Sequence, residues 1–276
     1  MNQDLIRISE IMLQKTNRNI SSLNIEFFKN TINDRLVKCG TKSFGEYISF
    51  LENDVDEINT LSQQLNNMTS QFFRSDLTFS LLESTLFPHL IIDHDKKREI
   101  RVWSTACAKG QEPYSVAILF EELKVKLGTT IPYRIFGTDI SEYALTLAHK
   151  GVYDFNDVEK VKLKDVEHYF TKIDNAYLLK DTVKKHVHFS KLDLVDEKSL
   201  HPIDGIYGGF DIIFCCNVLI YYQPKQQKII IDKLIGALAV NGFLIIGEAE
   251  RLLITHHDQL KNLGFNTAIF QKKSRK

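Results

Sequence analysis

The pattern of the chain changes once, at Glu99, and that change constrains the fold more than any other feature. From there strand-like and helix-like runs alternate: "EIRVWS", a helix at Pro113–Leu127, "YRIFGTD", then "SEYALTLAHKG". A helical stretch around 157–170 follows, then "FDIIFCCN", a helix over 224–239, "GFLIIGEAE", a helix near 256–262 and a last strand, "FNTAIFQ". Strands separated by helices pair in parallel, with helices wound on both faces. The expected fold is therefore α/β, a Rossmann-like doubly wound sheet. Three short β-like pieces, "YLL", "TVKK" and "HVHFS", interrupt the alternation between Tyr177 and Ser190 and suggest a small antiparallel appendage.

Ahead of Glu99 the chain reads as helix after helix. In "IEFFKNTINDRLVKCG" apolar Ile25, Phe28, Ile32 and Leu36 recur every three to four residues, and Cys39–Gly40 is a helix stop. Ser43 with Glu46 three residues later has the pattern of a capping box. "LTFSLLESTLFPHLI" is a further helix, interrupted near Pro88.

The 276 residues are 43% hydrophobic and 25% charged, enough for a substantial core, and 35 basic side chains balance 35 acidic ones. A dedicated nucleic-acid binder usually carries a basic excess, so that class is disfavoured. No apolar run reaches the roughly 18 residues needed to span a bilayer, and "MNQDLIRISE" lacks a signal-peptide core. Cys39, Cys107, Cys215 and Cys216 show no C-x-x-C spacing, so neither zinc nor disulfides are expected. The expectation is a cytoplasmic protein with reduced thiols and no metal.

In doubly wound sheets ligands bind at the carboxyl ends of the strands. Three such ends carry polar residues: the loop "STACAKGQEPYS", Asp139 and Asn217. An acid ending the second strand typically binds ribose hydroxyls, and Asp139 fits, 29 residues after Gly110. The loop lacks G-x-G-x-x-G, although Gly110 permits close backbone approach. Glu112 would repel a phosphate and suits a cation. S-adenosylmethionine has a ribose, a sulfonium and an ammonium but no phosphate, so the loop favours it over NAD or ATP. Each acid alone also has a local reading: Asp139 as a cap of the next helix, Glu112 as a first-turn acid favoured by the helix dipole.

"RVWSTACAKGQEPYS", "FGTDIS", "FDIIFCCNVLIYY" and "GFLIIGEAE" resemble, in order and spacing, the consecutive motifs of the CheR-type chemoreceptor methyltransferases. "FGEYISFLENDVDEINTLSQQLNNMTSQFFRS" is similar to that family's helical domain and linker. The resemblance implies a class I methyltransferase sheet with an inserted small antiparallel β-subdomain. It implies a helical N-terminal domain and linker over 1–75 and a methyltransferase domain over 76–276, with the β-subdomain at about 171–190. The reaction it implies is methyl transfer from S-adenosylmethionine to glutamate side chains on the cytoplasmic helices of chemoreceptors, leaving S-adenosylhomocysteine. By similarity, Arg74 and Glu112 lie near the methionine part of the cofactor, Asp139 takes the ribose, and Asp193 stands where an asparagine usually meets the adenine. Leu194, Cys216 and Asn217 complete that match. Tyr221, with Arg74, matches the methyl-transfer site.

Four departures are visible. "NNMTSQFFR" has one residue more than N-x-T-x-F-F-R, so either Asn67 and Thr69 or Met68 and Ser70 make the linker contacts; Ser70 needs no gap. Cys216 replaces an arginine, Glu248 a histidine, and Gln111 a glutamate. Two other readings stay open: a class I methyltransferase with another acceptor, and a catalytically weak signalling homologue that binds the cofactor. The protein is expected to be monomeric and not to insert in a membrane. Arg18, Lys29, Arg35, Lys38 and Lys42 against Glu26 and Asp34 give residues 18–42 a net charge of +3. That face could meet acidic receptor helices, or simply be solvated. The short turn "TKIDNA" has no glycine, which the resemblance reads as no tether to a receptor C-terminal peptide.

Overall fold

The computed structural model describes residues 3–16, 19–66, 69–93, 98–130, 132–205, 208–264 and 267–274. The chain divides into two compact units, Met1–Met68 with Leu219–Ile229, and Thr69–Val218 with Ile230–Lys276.

The first unit is helical: α1 (Gln3–Thr16), α2 (Ile25–Cys39), α3 (Phe44–Asn53) and α4 (Val55–Asn66). The predicted periodicity of α2 holds, since Phe28, Ile32 and Leu36 are buried; Ile25, in its first turn, stays exposed. Asn24 caps its start by accepting from the N–H groups of Glu26 and Phe27. Gly40 ends it at φ 70°, where a side chain is disfavoured. At α3, Ser43 accepts from Glu46 N as expected, but Glu46 Oε2 accepts from Lys42 N, one residue outside a capping box. Arg35, counted among the basic face of α2, turns inward. Its Nε donates to Glu57 Oε1 at 2.8 Å, its other nitrogen meets Glu57 Oε2, and Tyr47 Oη donates to the same carboxylate at 2.6 Å. Lys29, Lys38 and Lys42 remain exposed, and Arg18 lies outside the described residues.

The second unit is built on a seven-stranded sheet. Its strands are β1 (Ile100–Thr105), β2 (Tyr133–Asp139), β6 (Val187–Lys191), β7 (Phe210–Cys215), β8 (Leu238–Ile246), β9 (Leu260–Asn262) and β10 (Ile269–Lys272). The order is β6-β2-β1-β7-β8-β10-β9, with β10 alone running antiparallel to its two neighbours. Winding reverses at β1, which pairs in parallel with β2 on one side and β7 on the other. Both faces are covered, so β7 is buried at every position. Ile100 and Val102 join one cluster with Val116, Phe120 and Ile135. Trp103 points the other way, onto Phe210 at 5.4 Å.

The helices of this unit are α5 (Asp76–Leu81), α6 (Phe87–Asp93), α7 (Gln111–Leu127), α8 (Glu142–Lys150), the short α9 (Phe155–Val158), α10 (Leu163–Tyr169), α11 (Asp181–Lys184), and the later part of α12 (Pro224–Ala237). The interruption expected near Pro88 is a π turn, Leu82–Leu86, joining α5 to α6, with Phe87 N donating to Leu82 O. Proline has no N–H and its ring crowds the carbonyl four residues back, so a widened turn just ahead of it relieves both defects.

The appendage exists, but from different segments. It is a three-stranded antiparallel sheet of β3 (Val152–Tyr153), β5 (Ala176–Leu179) and β4 (Phe170–Ile173), in that order. Of the three pieces read from the sequence, only "YLL" belongs to it. "TVKK" is part of α11, and "HVHFS" is β6, the edge of the main sheet. Phe189 of β6 explains part of this placement: a Cβ on Gly137 of β2 would sit 2.6 Å from its ring, so that glycine makes room for β6. The expected helix near 256–262 is instead a turn leading into β9.

Candidate functional site

The parallel pairing of β6, β2, β1, β7 and β8 brings their carboxyl ends to one edge of the sheet. Read along that edge, Asp193 follows β6, Asp139 ends β2, the loop Ala106–Gly110 follows β1, Asn217 follows β7 and Gly247 follows β8.

The loop after β1 turns sharply. Ala106, Ala108 and Gly110 have φ of 47°, 48° and 87°. Asp139 holds that shape: its Oδ2 accepts from Ala108 N at 2.9 Å and its Oδ1 from Ser141 N at 2.8 Å. The cap of α8 is Ser141 rather than Asp139, because Ser141 Oγ accepts from Ala144 N. Gly110 has no room for a side chain. A Cβ there would lie 3.0 Å from both Ala148 of α8 and Phe189 of β6.

Glu112, in the first turn of α7, lines a cavity of about 350 Å³ together with Arg74, Ser75, Cys216, Asn217, Gly247 and Glu248. Ser104 Oγ donates to Glu112 Oε1 at 2.7 Å. One side of Glu112 is open to the cavity while protein encloses the rest. Burial pushes its pKa up to about 7, against the opposing hydrogen bonds of Ser104 and Cys216 and the charge of Arg74, with Glu250 adding to the rise. The half-buried Cys216 thiol, beside this carboxyl, is itself pushed well above its ordinary value by desolvation and then by Glu112.

Arg74 sits in the linker between Phe73 and Ser75, and its own side chain makes one long bond, to Thr69 O at 3.4 Å. Asn217 takes a left-handed conformation at φ 58°. Its backbone N–H and that of Gly247 both donate to Glu250 Oε2, at 2.8 and 2.9 Å, and Glu250 is fully buried. A Cβ on Gly247 would fall 2.6 Å from that same oxygen.

The structure thus gathers Arg74, Glu112, Cys216 and Asn217 around one cavity. Asp139, Asp193 and Leu194 stand further along the strand edge, outside its lining. Asp193 Oδ1 accepts from Val195 N, and the Leu194 side chain is buried. Thr69 is exposed and Ser70 half-exposed, neither lining the cavity; Asn67 and Met68, the other candidates for the linker contact, lie outside the described residues. Tyr221 belongs to the helical unit, where its ring meets Phe27 edge-on at 4.8 Å and its carbonyl accepts from Asn24 N at 2.7 Å.

Sequence reasoning missed Ser104 and Glu250 altogether. Ser104 is the last but one residue of β1 and Glu250 closes "GEAE", but a serine or glutamate at a strand end has too many uses for position alone to assign a bond. Chemically, the cavity sets the Arg74 guanidinium and the Glu112 carboxyl on one lining, while the Glu248 carboxylate accepts from Ser75. The Glu112 carboxyl suits a cationic group of a ligand.

Comparison with known proteins identifies the family. The profile of the "CheR methyltransferase, SAM binding domain" family matches residues 68–269. A chemotaxis protein methyltransferase of Borreliella burgdorferi is 30% identical over 254 residues, covering 90% of this chain and 88% of that protein. Its counterpart in Escherichia coli K12 is 28% identical over 251 residues, covering 88% of this chain and 82% of that one. One from Listeria innocua is 30% identical over 236 residues, 84% of this chain and 85% of that one. The sheet is that of a class I methyltransferase, and the chain belongs to the CheR family of chemotaxis methyltransferases, whose S-adenosylmethionine-binding domain is the part matched.

Proposed function

We propose that the protein methylates glutamate side chains on the cytoplasmic helices of chemoreceptors, forming methyl esters and S-adenosylhomocysteine. The observation that carries this reading is the shared cavity of Glu112 and Arg74 at the carboxyl edge of the sheet, in a chain of this family. Glu112 is a partly desolvated carboxyl with no phosphate-binding glycines around it, which fits the ammonium of S-adenosylmethionine. Asp139, fixed by two backbone N–H groups, presents a carboxylate for ribose hydroxyls. Asp193 and Leu194, on the neighbouring strand end, would hold the adenine; Thr69 or Ser70, with Cys216 and Asn217, completes the cofactor site.

When bound, the cofactor supplies an electrophilic methyl group on a sulfonium. The acceptor needs no general base: a glutamate has an ordinary pKa of about 4.3 and is already ionised at pH 7. What the protein supplies is orientation and exclusion of water. Arg74 holds the acceptor carboxylate through its planar fork. Tyr221 is assigned, on the family resemblance, as a hydrogen-bond donor that fixes the attacking oxygen. Positive and negative charge annihilate in the reaction, so exclusion of water favours it.

The test uses purified protein, methyl-labelled cofactor and receptor-containing membranes. Label released by mild base, as from a carboxyl ester, is the expected result. Base-stable label, or none, rejects the reading. Arg74→Ala is expected to lose turnover by far more than it loses S-adenosylhomocysteine affinity, and equal losses would make Arg74 a binding residue only.

A further inference from the structure

Among the described residues, Phe73, Arg74 and Ser75 each make a bond that holds the linker. Phe73 N donates to Ser115 Oγ at 2.9 Å, and Ser115 Oγ in turn donates to Gln111 O at 2.7 Å, inside α7. The weak Arg74–Thr69 contact is the second. The third reaches across 173 residues: Ser75 Oγ donates to Glu248 Oε1 at 2.5 Å.

The third bond lies at the surface, and two features give it weight. The first is conformational. Phe73 and Ser75, flanking Arg74, have φ of 50° and 71°. Non-glycine residues avoid this region because Cβ crowds the backbone, and two such residues around one arginine persist only if something holds them. The second is a missing cap. Ser75 occupies the N-cap position of α5, where serine ordinarily accepts from the helix N–H groups, yet it makes no side-chain cap bond there. Its hydroxyl is turned to Glu248, with Thr78 Oγ1 3.1 Å away. Glu248 opens the segment after β8 and lines the same cavity as Arg74 and Glu112.

We propose that Glu248 latches the strained linker through Ser75 and thereby sets the direction of Arg74 into the cavity. Glu248 is a positioning residue for Arg74. It stands where the family resemblance places a histidine. The proposal rests on the reading of Arg74 as the group that orients the acceptor.

The experiment compares the wild type, Glu248→Ala, Glu248→Gln, Ser75→Ala and the double variant Ser75→Ala/Glu248→Ala in the full chain. Three readouts are taken: methylation of receptor membranes, S-adenosylhomocysteine affinity, and the rate of tryptic cleavage after Arg74. A charge-assisted hydrogen bond on a strained segment predicts about a tenfold loss of kcat in either alanine variant. Cofactor affinity is expected to change less than about threefold, as for a group that acts through Arg74. The double variant should be no worse than a single one, because both remove the same bond. Glu248→Gln should keep most activity, since its amide oxygen still accepts from Ser75. Tryptic cleavage after Arg74 should accelerate about tenfold in both alanine variants. Additive losses, unchanged kcat and cleavage in Glu248→Ala, or Glu248→Gln as impaired as Glu248→Ala would each overturn the latch. Failure of the wild type to methylate would instead reject the acceptor assignment, while the cleavage rates would still decide the latch.

Discussion

Glu57 in the helical unit and Glu112 in the sheet unit are both enclosed carboxylates, and their surroundings treat them in opposite ways. Burial alone would push both pKa values up. At Glu57 the Arg35 fork, the Tyr47 hydroxyl and the Cys39 thiol outweigh that, and its pKa falls below the ordinary carboxyl range. At Glu112 a hydroxyl, a thiol and a more distant arginine do not, and its pKa rises to about 7. A charge that completes a fold is given its partner within the chain. The charge proposed to meet a ligand is left short of one.

The largest test of this contrast removes the partner that Glu57 has. Arg35→Ala should destabilise the helical unit by about 3–5 kcal/mol, because an uncompensated carboxylate stays in its core. Urea unfolding followed by helical circular dichroism measures it; a loss under about 1 kcal/mol would mean that water reaches Glu57.

The next test removes the charge that Glu112 offers. Glu112→Gln should weaken S-adenosylmethionine binding about 10- to 100-fold, the loss of one hydrogen bond to a charged group, without destabilising the protein. Calorimetry decides, and unchanged affinity would return Glu112 to the role of a helix-start acid.

The pH dependence sharpens the contrast further. Glu57, with its pKa lowered, contributes stability above the ordinary carboxyl range that is lost on acidification. Glu112, with its pKa raised from 4.5 to about 7, does the reverse: the stability is present in acid and is lost as pH rises toward about 7. The one tryptophan, Trp103, lies in the sheet unit, so its fluorescence reports that unit. The urea midpoint it reports should fall between pH 5 and pH 7.5, and Glu112→Gln should remove that component. Cofactor affinity should move the other way, weakening about tenfold per pH unit below 7 as the carboxyl takes up a proton. A pH-independent affinity would show that Glu112 does not meet a cation.

The smallest effect concerns Gly110. Gly110→Ala should lower stability by about 1–3 kcal/mol through contact with Ala148 and Phe189, while leaving cofactor affinity near the wild-type value. A larger loss of affinity than of stability would place the ligand against that glycine after all.

The parts of this molecule legible in the sequence are those set by local order. The alternation after Glu99 dictated the parallel sheet, and strand ends marked Glu112, Asp139 and Asn217 without any tertiary knowledge. The parts that were not legible depend on partners far along the chain. Arg35 looks like one more base on a charged helix until Glu57, 22 residues on, turns out to face it. "HVHFS" reads as appendage because β-branched and aromatic runs do not declare which sheet they join, and Gly137 in β2 is what admits Phe189. The hydroxyls of Ser75 and Ser104 carry no pattern at all; only the fold supplies their carboxylates.

One oxygen of Glu250 accepts from both Asn217 and Gly247, and Gly247 has no space for a side chain while that oxygen is in place. The ends of β7 and β8 therefore cannot drift separately over evolutionary time. Any lineage that gains a side chain at Gly247 must move or replace Glu250 as well, and the turn at Asn217 then loses its anchor in the same event.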